Sequence, residues 1–565
     1  MVSSLRANVP TCSTKRINSR VASIDRSTTP KTAPEQATAL KVTYRKVRDL
    51  HHIHGPGAAG IESRAQAVTM YPARRMMRLC ALAGLLGIAS LAAADAVPPQ
   101  PTLKPCRLEH PARMLALTAD CATISVAENP DDPNGRTIDL FVARVPAISL
   151  NKKPDPLFLI AGGPGTSSVD LYTSSAGPFE RVRRDRDIIL VDQRGTGRSH
   201  RLDCDYGDQN LFERIDELEV GPANVKCRDE LARKSDLRMY TTSVAVRDLD
   251  RVRQLLGYER INLYGNSYGT RVAQHYARRY PKATRTVILD GVVNPEVVLG
   301  PAIAIDAERA LERILARCAR DTACTKAFTD PAADYRALRA QLNAKPAKTM
   351  VSDVATGRPI NFDFTSRHLS AVLRFASYND DQAALLPLSL HLATHEGNFT
   401  PLASQFRVFA NSLEESFAYG MHNSVACSED APLIDASKLD LTALNATHMG
   451  AEQVQQLVDS CKDWPKGVVD RDLHAPFKSD AAALLLSGAD DPVTPPEYAA
   501  LAQRAFADSA HVIVAGHGHG QLGAPCIDRI IGAFVTAGSA KALDTSCTKK
   551  LKPMPFFITL AGPAP

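Results

Sequence analysis

The chemistry-bearing residues of this chain are a serine, two aspartates and two histidines, each placed just after an apolar run. Ser267 lies in Gly265-Asn266-Ser267-Tyr268-Gly269, which follows Ile261, Leu263 and Tyr264 and opens a helical run ending at Tyr280-Pro281. A serine between glycines at such a turn is pushed out of the backbone, because small neighbours let other main chain approach from behind. A hydroxyl is a weak nucleophile at neutral pH and needs a general base, itself oriented by an acid. Asp491 follows the run 483–486 within Ser487-Gly488-Ala489-Asp490-Asp491-Pro492, and Asp490 is its rival for the role of acid. The run 511–514 ends in Ala515-Gly516-His517-Gly518-His519-Gly520. His519 is the candidate base and His517 its rival. The chemistry these types support is acyl transfer through a covalent serine intermediate.

Such a reaction also needs hydrogen-bond donors where negative charge develops. One is the backbone N–H of Tyr268, directly after the nucleophile. Others are expected from Gly162 and Gly163 in Gly162-Gly163-Pro164-Gly165, where glycine lets the backbone come close to a substrate.

The elements that must hold these residues can be read from apolar periodicity. Runs at 137–145, 157–160, 188–191, 261–264, 287–289, 483–486 and 512–514 are short, rich in Val, Ile and Leu, and end in turn residues. Residues 243–256 place Val246, Leu249, Val252 and Leu256 on one helical face, and Val272, Ala273, Tyr276 and Tyr280 repeat that pattern after Ser267. Continuous apolar strands alternating with amphipathic helices predict an α/β fold, a mostly parallel sheet with helices on both faces. Ligands bind such sheets at the carboxyl ends of their strands, which is where every candidate above falls. From 293 to 480 helical stretches dominate (307–319, 332–342, 368–377), which predicts a helical cap inserted into the sheet domain.

The 565 residues also carry a leader. Arg74, Arg75 and Arg78 precede an apolar run at 79–91 that is short for a bilayer span, followed by small residues to Ala96, so 70–96 is expected to be a signal peptide. Residues 1–69, polar and without apolar period, are expected to be a disordered or mis-assigned N-terminal extension. They hold 11 Lys or Arg against 4 Asp or Glu, and 70–96 hold three Arg against one Asp. The formal charge of +6 therefore comes from the leader, and the remainder is slightly acidic. That excludes an electrostatic argument for nucleic acid or an anionic membrane surface. Ten cysteines remain after the leader, an even number suited to disulfides in an exported chain. Pairing of nearest neighbours (106–121, 204–227, 318–324, 427–461, 526–547) closes the shortest loops. No Cys-x-x-Cys pair or His cluster suggests a metal.

As a set, Gly-Gly-Pro-Gly at 162–165, Asp-Gln-Arg-Gly-Thr-Gly-Arg-Ser at 192–199, Tyr-Gly-Asn-Ser-Tyr-Gly-Thr at 264–270, Asp-Pro-Val-Thr-Pro at 491–495 and Gly-His-Gly at 518–520 resemble the proline iminopeptidase and tripeptidyl aminopeptidase branch of the α/β-hydrolases. The order Ser, Asp, His is that of this fold. The resemblance spans roughly 100–550 and includes a C-terminal part similar to the tripeptidyl aminopeptidase-like members. Ala161 departs from the histidine that often precedes Gly-Gly-Pro-Gly there. The resemblance implies Ser267, Asp491 and His519 as the triad, no cofactor, and a peptide substrate with a free N-terminus; Asp192 and Arg194, on a turn that could brace neighbouring loops, are expected to be scaffold. An exopeptidase of this kind needs a carboxylate for the substrate ammonium, and Glu429, with Asp430 beside it, is the candidate. The expected organisation is a sheet domain at 97–292 and 481–565 around a cap at 293–480, exported to the periplasm or medium. An esterase or amidase with the same triad, and a binding protein that kept the fold without catalysis, are the alternatives. Oligomeric state is not legible.

Overall fold

Apolar runs become strands in the computed structural model, which describes residues 100–204, 220–352 and 356–563. These lie in one compact unit, Ala93–Pro565. The expected extension and signal peptide fall outside the described residues. Among the described residues seven strands precede the insertion: β1 (Lys104–Glu109), β2 (Ala116–Ala127), β3 (Thr137–Val145), β4 (Leu157–Ile160), β5 (Ile188–Val191), β6 (Ile261–Asn266) and β7 (Thr284–Asp290). Inside it, β8 (Ala347–Ser352) pairs with β9 (Pro359–Phe364). β10 (Ala482–Gly488) and β11 (Ser509–Val514) follow, and β12 (Phe557–Thr559) and β13 (Gly562–Pro563) come last.

Nine strands form one sheet in the order β1-β2-β3-β5-β4-β6-β7-β10-β11. From β5 to β11 all neighbours are parallel, and β1 to β3 are antiparallel to theirs. Every residue of β4, β5 and β10 is buried, as strands covered on both faces require. Alternate side chains then serve two cores. Phe158, Ile160, Ile189 and Val191 pack with Val246, Leu249, Val272 and Tyr276 from the helices Thr242–Leu255 and Tyr268–Arg279. Leu157, Leu159, Ile188 and Leu190 pack with Val182, Ile527, Ile531 and Phe534 on the other face. Each fully buried aliphatic side chain contributes about 1.5–3 kcal/mol, so the central strands are the rigid floor of the molecule.

β1 and β2 are not marked in the sequence. They form a half-exposed edge hairpin, tied by Cys106–Cys121, whose apolar alternation is faint. All five nearest-neighbour disulfides are formed. Residues 293–480 are mainly helical, with a core of their own that includes Leu311, Leu338, Leu373, Leu390 and Phe406. The hairpin β8–β9 was not expected there; half of its strand residues are exposed, so it carries little hydrophobic signal. The end of the chain departs from expectation too. Phe556 is buried with Ile314, Cys318, Phe328 and Leu388 of the inserted segment, not with the sheet. Among the described residues no helix is long and apolar enough to cross a membrane.

Candidate active site

The turn between β6 and its helix has the geometry the motif demands. Ser267 caps the helix Tyr268–Arg279 with φ 54° and ψ −124°, a conformation that costs a non-glycine residue energy. Close packing holds it there. A Cβ on Gly269 would stand 2.3 Å from the carbonyl oxygen of Ile160, and one on Gly162 would stand 2.8 Å from Ser267 Cβ. The loop after β4 therefore lies directly against the serine. Ser267 N–H donates to the Asp290 carbonyl at 2.8 Å, which fixes the elbow to the end of β7. Tyr268 occupies the first helical position, where the helix supplies no acceptor for its N–H. Gly163 has φ 103° and precedes a cis proline. Gly162 thus lies against Ser267, and Gly163 follows it in the same loop.

Asp491 and His519 come together from the loops after β10 and β11. Asp491 Oδ2 lies 2.8 Å from His519 Nδ1, the geometry of an imidazole N–H donating to a carboxylate. Val493 N–H and Thr494 N–H donate to Oδ1 at 2.9 and 2.8 Å, and the Thr494 hydroxyl donates to Oδ2 at 2.8 Å. Burial opposes ionisation of Asp491, but His519 and these donors outweigh it and hold the carboxyl below its usual range. Burial likewise opposes the charged form of His519, yet Asp491's charge and hydrogen bond win and the imidazole is raised. Its ring packs on Gly291, where a Cβ would clash with Cε1, and a Cβ on the next residue, Gly520, would meet Asn266 Nδ2 at 3.3 Å. His519 and Ser267 thus share the strand ends. Among the described residues no hydrogen bond joins Ser267 Oγ to His519; such bonds are often loose before substrate binds.

The rivals are engaged elsewhere. Asp490 faces Arg313 at 3.4 Å and Arg317 at 4.0 Å. His517 Nδ1 lies 2.8 Å from Asp380 Oδ2, at the start of the helix Asp380–Glu396. Asp192 is buried and accepts from Ser167, Val169 N–H and Arg198 N–H, and Arg194 pairs twice with Asp248 while donating to the carbonyls of Glu128 and Met239. Both are braces for loops.

Glu429 and Asp430, the candidates for holding a substrate ammonium, each have internal partners. Arg271 grips Asp430 at 2.7 and 2.9 Å and touches Glu429 at 3.4 Å. Thr242 donates to Glu429 from its N–H at 2.6 Å and from its hydroxyl at 2.9 Å. Both carboxylates and Arg271 are buried. The cluster joins the elbow helix to the helix Tyr419–Glu429, because the Tyr268 hydroxyl bonds Thr242 at 2.7 Å.

Four residues near the site went unnoticed in the sequence. Thr494 touches both Asp491 and, at 3.0 Å, His519. Asp290 accepts from the Tyr264 hydroxyl and twice from Gln521 N–H, and burial pushes it up to about 6. The end of an apolar strand, Val-Ile-Leu-Asp, was the available signal. The Tyr378 ring meets that of His519 edge to face with centroids 4.9 Å apart, and the Tyr378 carbonyl accepts from the His519 backbone N–H at 3.0 Å. Arg374, beside it, opposes the charged form of His519. These last two come from a loop and a helix whose sequence does not distinguish them.

The alpha/beta hydrolase fold, as a family pattern, matches residues 155–522 of this chain. The chain belongs to the alpha/beta hydrolase fold family. Serine protease Hip1 of Mycobacterium tuberculosis is 29% identical over 246 residues, 39% of this chain and 45% of that protein. Carboxylesterase B of the same species is 30% identical over 278 residues, 45% and 53% of the two chains. Tripeptidyl aminopeptidase of Streptomyces coelicolor is 28% identical over 190 residues, 31% and 35%. The chain spans about half the length, or less, of these curated relatives.

Proposed function

We propose that this chain is an exported serine hydrolase of the peptidase type, which releases N-terminal residues or short peptides through an acyl-enzyme on Ser267. The observation that carries the reading is the buried Asp491–His519 pair beside a serine held at φ 54°. His519 takes the proton of Ser267 as the hydroxyl attacks a carbonyl. Asp491 stabilises the resulting imidazolium. The developing oxyanion is held by Tyr268 N–H and the loop at Gly162 and Gly163. His519 then protonates the leaving amine, and water resolves the acyl-enzyme by the same route in reverse. Peptide specificity is supported by relatives named serine protease and tripeptidyl aminopeptidase. Export is supported by five disulfides, which persist in oxidising compartments.

A second reading, an esterase or amidase of small acyl substrates, has its own support. The carboxylates expected to hold an ammonium are committed to Arg271 and Thr242, and the inserted segment brings a cation, Arg374, to bear on His519. A panel of free-amine peptide anilides, their N-blocked counterparts and short-chain esters separates the two. Turnover of free-amine anilides above blocked ones supports the aminopeptidase. Activity confined to blocked peptides or esters removes it.

A further inference from the structure

Among the described residues, one group of His, Cys, Asp or Glu side chains brings three ligand atoms within 4.8 Å of one another: Asp334, His391 and His395. None of them belongs to the Ser267 site. We propose that they form a zinc-type metal site that clasps the helix Pro331–Ala344 to the helix Asp380–Glu396.

His391 and His395 are four residues apart on one helix and so project from the same face. Asp334 comes from the first turn of the neighbouring helix. His395 Nε2 lies 2.7 Å from Asp334 Oδ1, and His391 Nδ1 lies 3.4 Å from Asp334 Oδ2. The two rings stand side by side, with centroids 4.5 Å apart, and Phe328 packs against His391 at 5.3 Å. Thr394 Oγ1 donates to the Asp334 carbonyl and fixes the register of the two helices.

Two atoms in this group lack a hydrogen bond. Asp334 Oδ2 and His391 Nδ1 are both buried and, facing each other at 3.4 Å, make no hydrogen bond, in a carboxylate only 6% exposed. A buried acceptor left open beside an imidazole nitrogen is costly and asks for an occupant. A cation satisfies both at once. Two imidazole nitrogens, one carboxylate oxygen and an open position suit zinc and its neighbours cobalt, nickel and copper. Calcium and magnesium require more oxygen ligands than are present here. His395, with 54% of its side chain exposed, gives the ion a route in.

The test uses the tag-free, disulfide-intact chain, stripped with a chelator and titrated with zinc chloride by calorimetry and by competition with a chromophoric chelator. One zinc per chain is expected, with micromolar affinity or better, and zinc should raise the thermal midpoint. His395→Ala should weaken binding at least tenfold, since loss of a ligand costs no less than the ~10–100-fold seen for outer partners. His391→Ala with His395→Ala should abolish both binding and the thermal shift. Calcium and magnesium should do neither. Zinc affinity unchanged in His395→Ala would put the ion elsewhere and overturn the proposal. So would binding no tighter than millimolar, or an equal response to calcium. If the double variant does not fold, the half-exposed His395→Ala decides alone.

Discussion

Two buried carboxylate clusters flank the elbow of Ser267, and they are built to opposite ends. On one side Asp491 accepts four hydrogen bonds, from His519, Thr494 twice and Val493, and stays ionised below its usual range. On the other, Glu429 is pushed up to about 7 by burial, although Arg271 and Thr242 pull the other way. The two are equally hidden from water. The difference lies in partners: His519 faces Asp491 as its own partner, whereas Arg271 is shared and lies nearer to Asp430 than to Glu429. Burial alone does not say what a carboxylate does. A dedicated cationic partner makes a base-orienting acid, and a shared one makes a structural joint.

If that contrast is right, the two clusters separate activity from stability. The largest effect should come from Ser267→Ala, which removes the nucleophile. Turnover of any ester or anilide substrate should fall by roughly 10⁴- to 10⁶-fold, the range found when triad members are removed. The urea midpoint should not fall, because the strained φ at 267 suits alanine no worse than serine. Activity within tenfold of the parent would end the acyl-enzyme mechanism.

Asp491→Asn probes the orienting carboxylate and should cost ~10⁴ in kcat, as expected when the histidine loses its partner and adopts the wrong tautomer. It also bears on pH. The unsubstituted enzyme needs neutral His519, and that imidazole is raised above its ordinary 6.5. Activity should therefore climb with pH through a value above 6.5. In the asparagine variant the residual activity should climb at lower pH. An unchanged profile would break the assigned coupling of the pair.

Arg271→Met reverses the pattern. It strands two buried carboxylates, and breaking such a pair costs about 3–5 kcal/mol. A large drop in the urea midpoint is expected, and the protein that remains folded should keep kcat for a small ester within a few fold. A loss of kcat matching that of Asp491→Asn, with unaltered stability, would mean that the Arg271 cluster belongs to the chemistry after all.

One of these clusters is legible in the sequence, and the partners of the other are not. Ser267, Asp491 and His519 each follow an apolar strand, and parallel sheets gather the carboxyl ends of their strands at one edge, so sheet topology brings the three loops together. Gly162 could be read for the same reason. Glu429 and Asp430 sit at the end of a helix in the inserted segment, and their partners Arg271 and Thr242 are far away in the chain. Helix–helix packing decided that meeting, and no local pattern encodes it. The edge strands β1 and β2 and the hairpin β8–β9 escaped for a simpler reason: half-exposed strands bury too little to mark themselves. Asp334 illustrates the same limit, since the spacing of His391 and His395 carries meaning only once a neighbouring helix supplies the third side chain.

Glu429→Gln gives the smallest and most discriminating effect. In the folded chain Glu429 keeps its proton up to about 7, whereas in the unfolded chain it loses it near 4.5. The native state therefore binds more protons between those values, and this group makes stability fall as pH rises through that window, then level off. The full swing is at most about 3 kcal/mol. Asp491 acts with the opposite sign: its contribution is complete above 3.8 and is lost as pH falls through its lower folded value. His519 adds a decline of its own, but only above 6.5. Glutamine imitates the neutral form of Glu429 at every pH. The variant should match the parent near pH 5 and gain on it steadily by pH 7.5, when the two are compared by urea unfolding. A stability difference that stays constant across this range would mean that Glu429 is ionised throughout, and the contrast between the two clusters would then lie in geometry and not in charge.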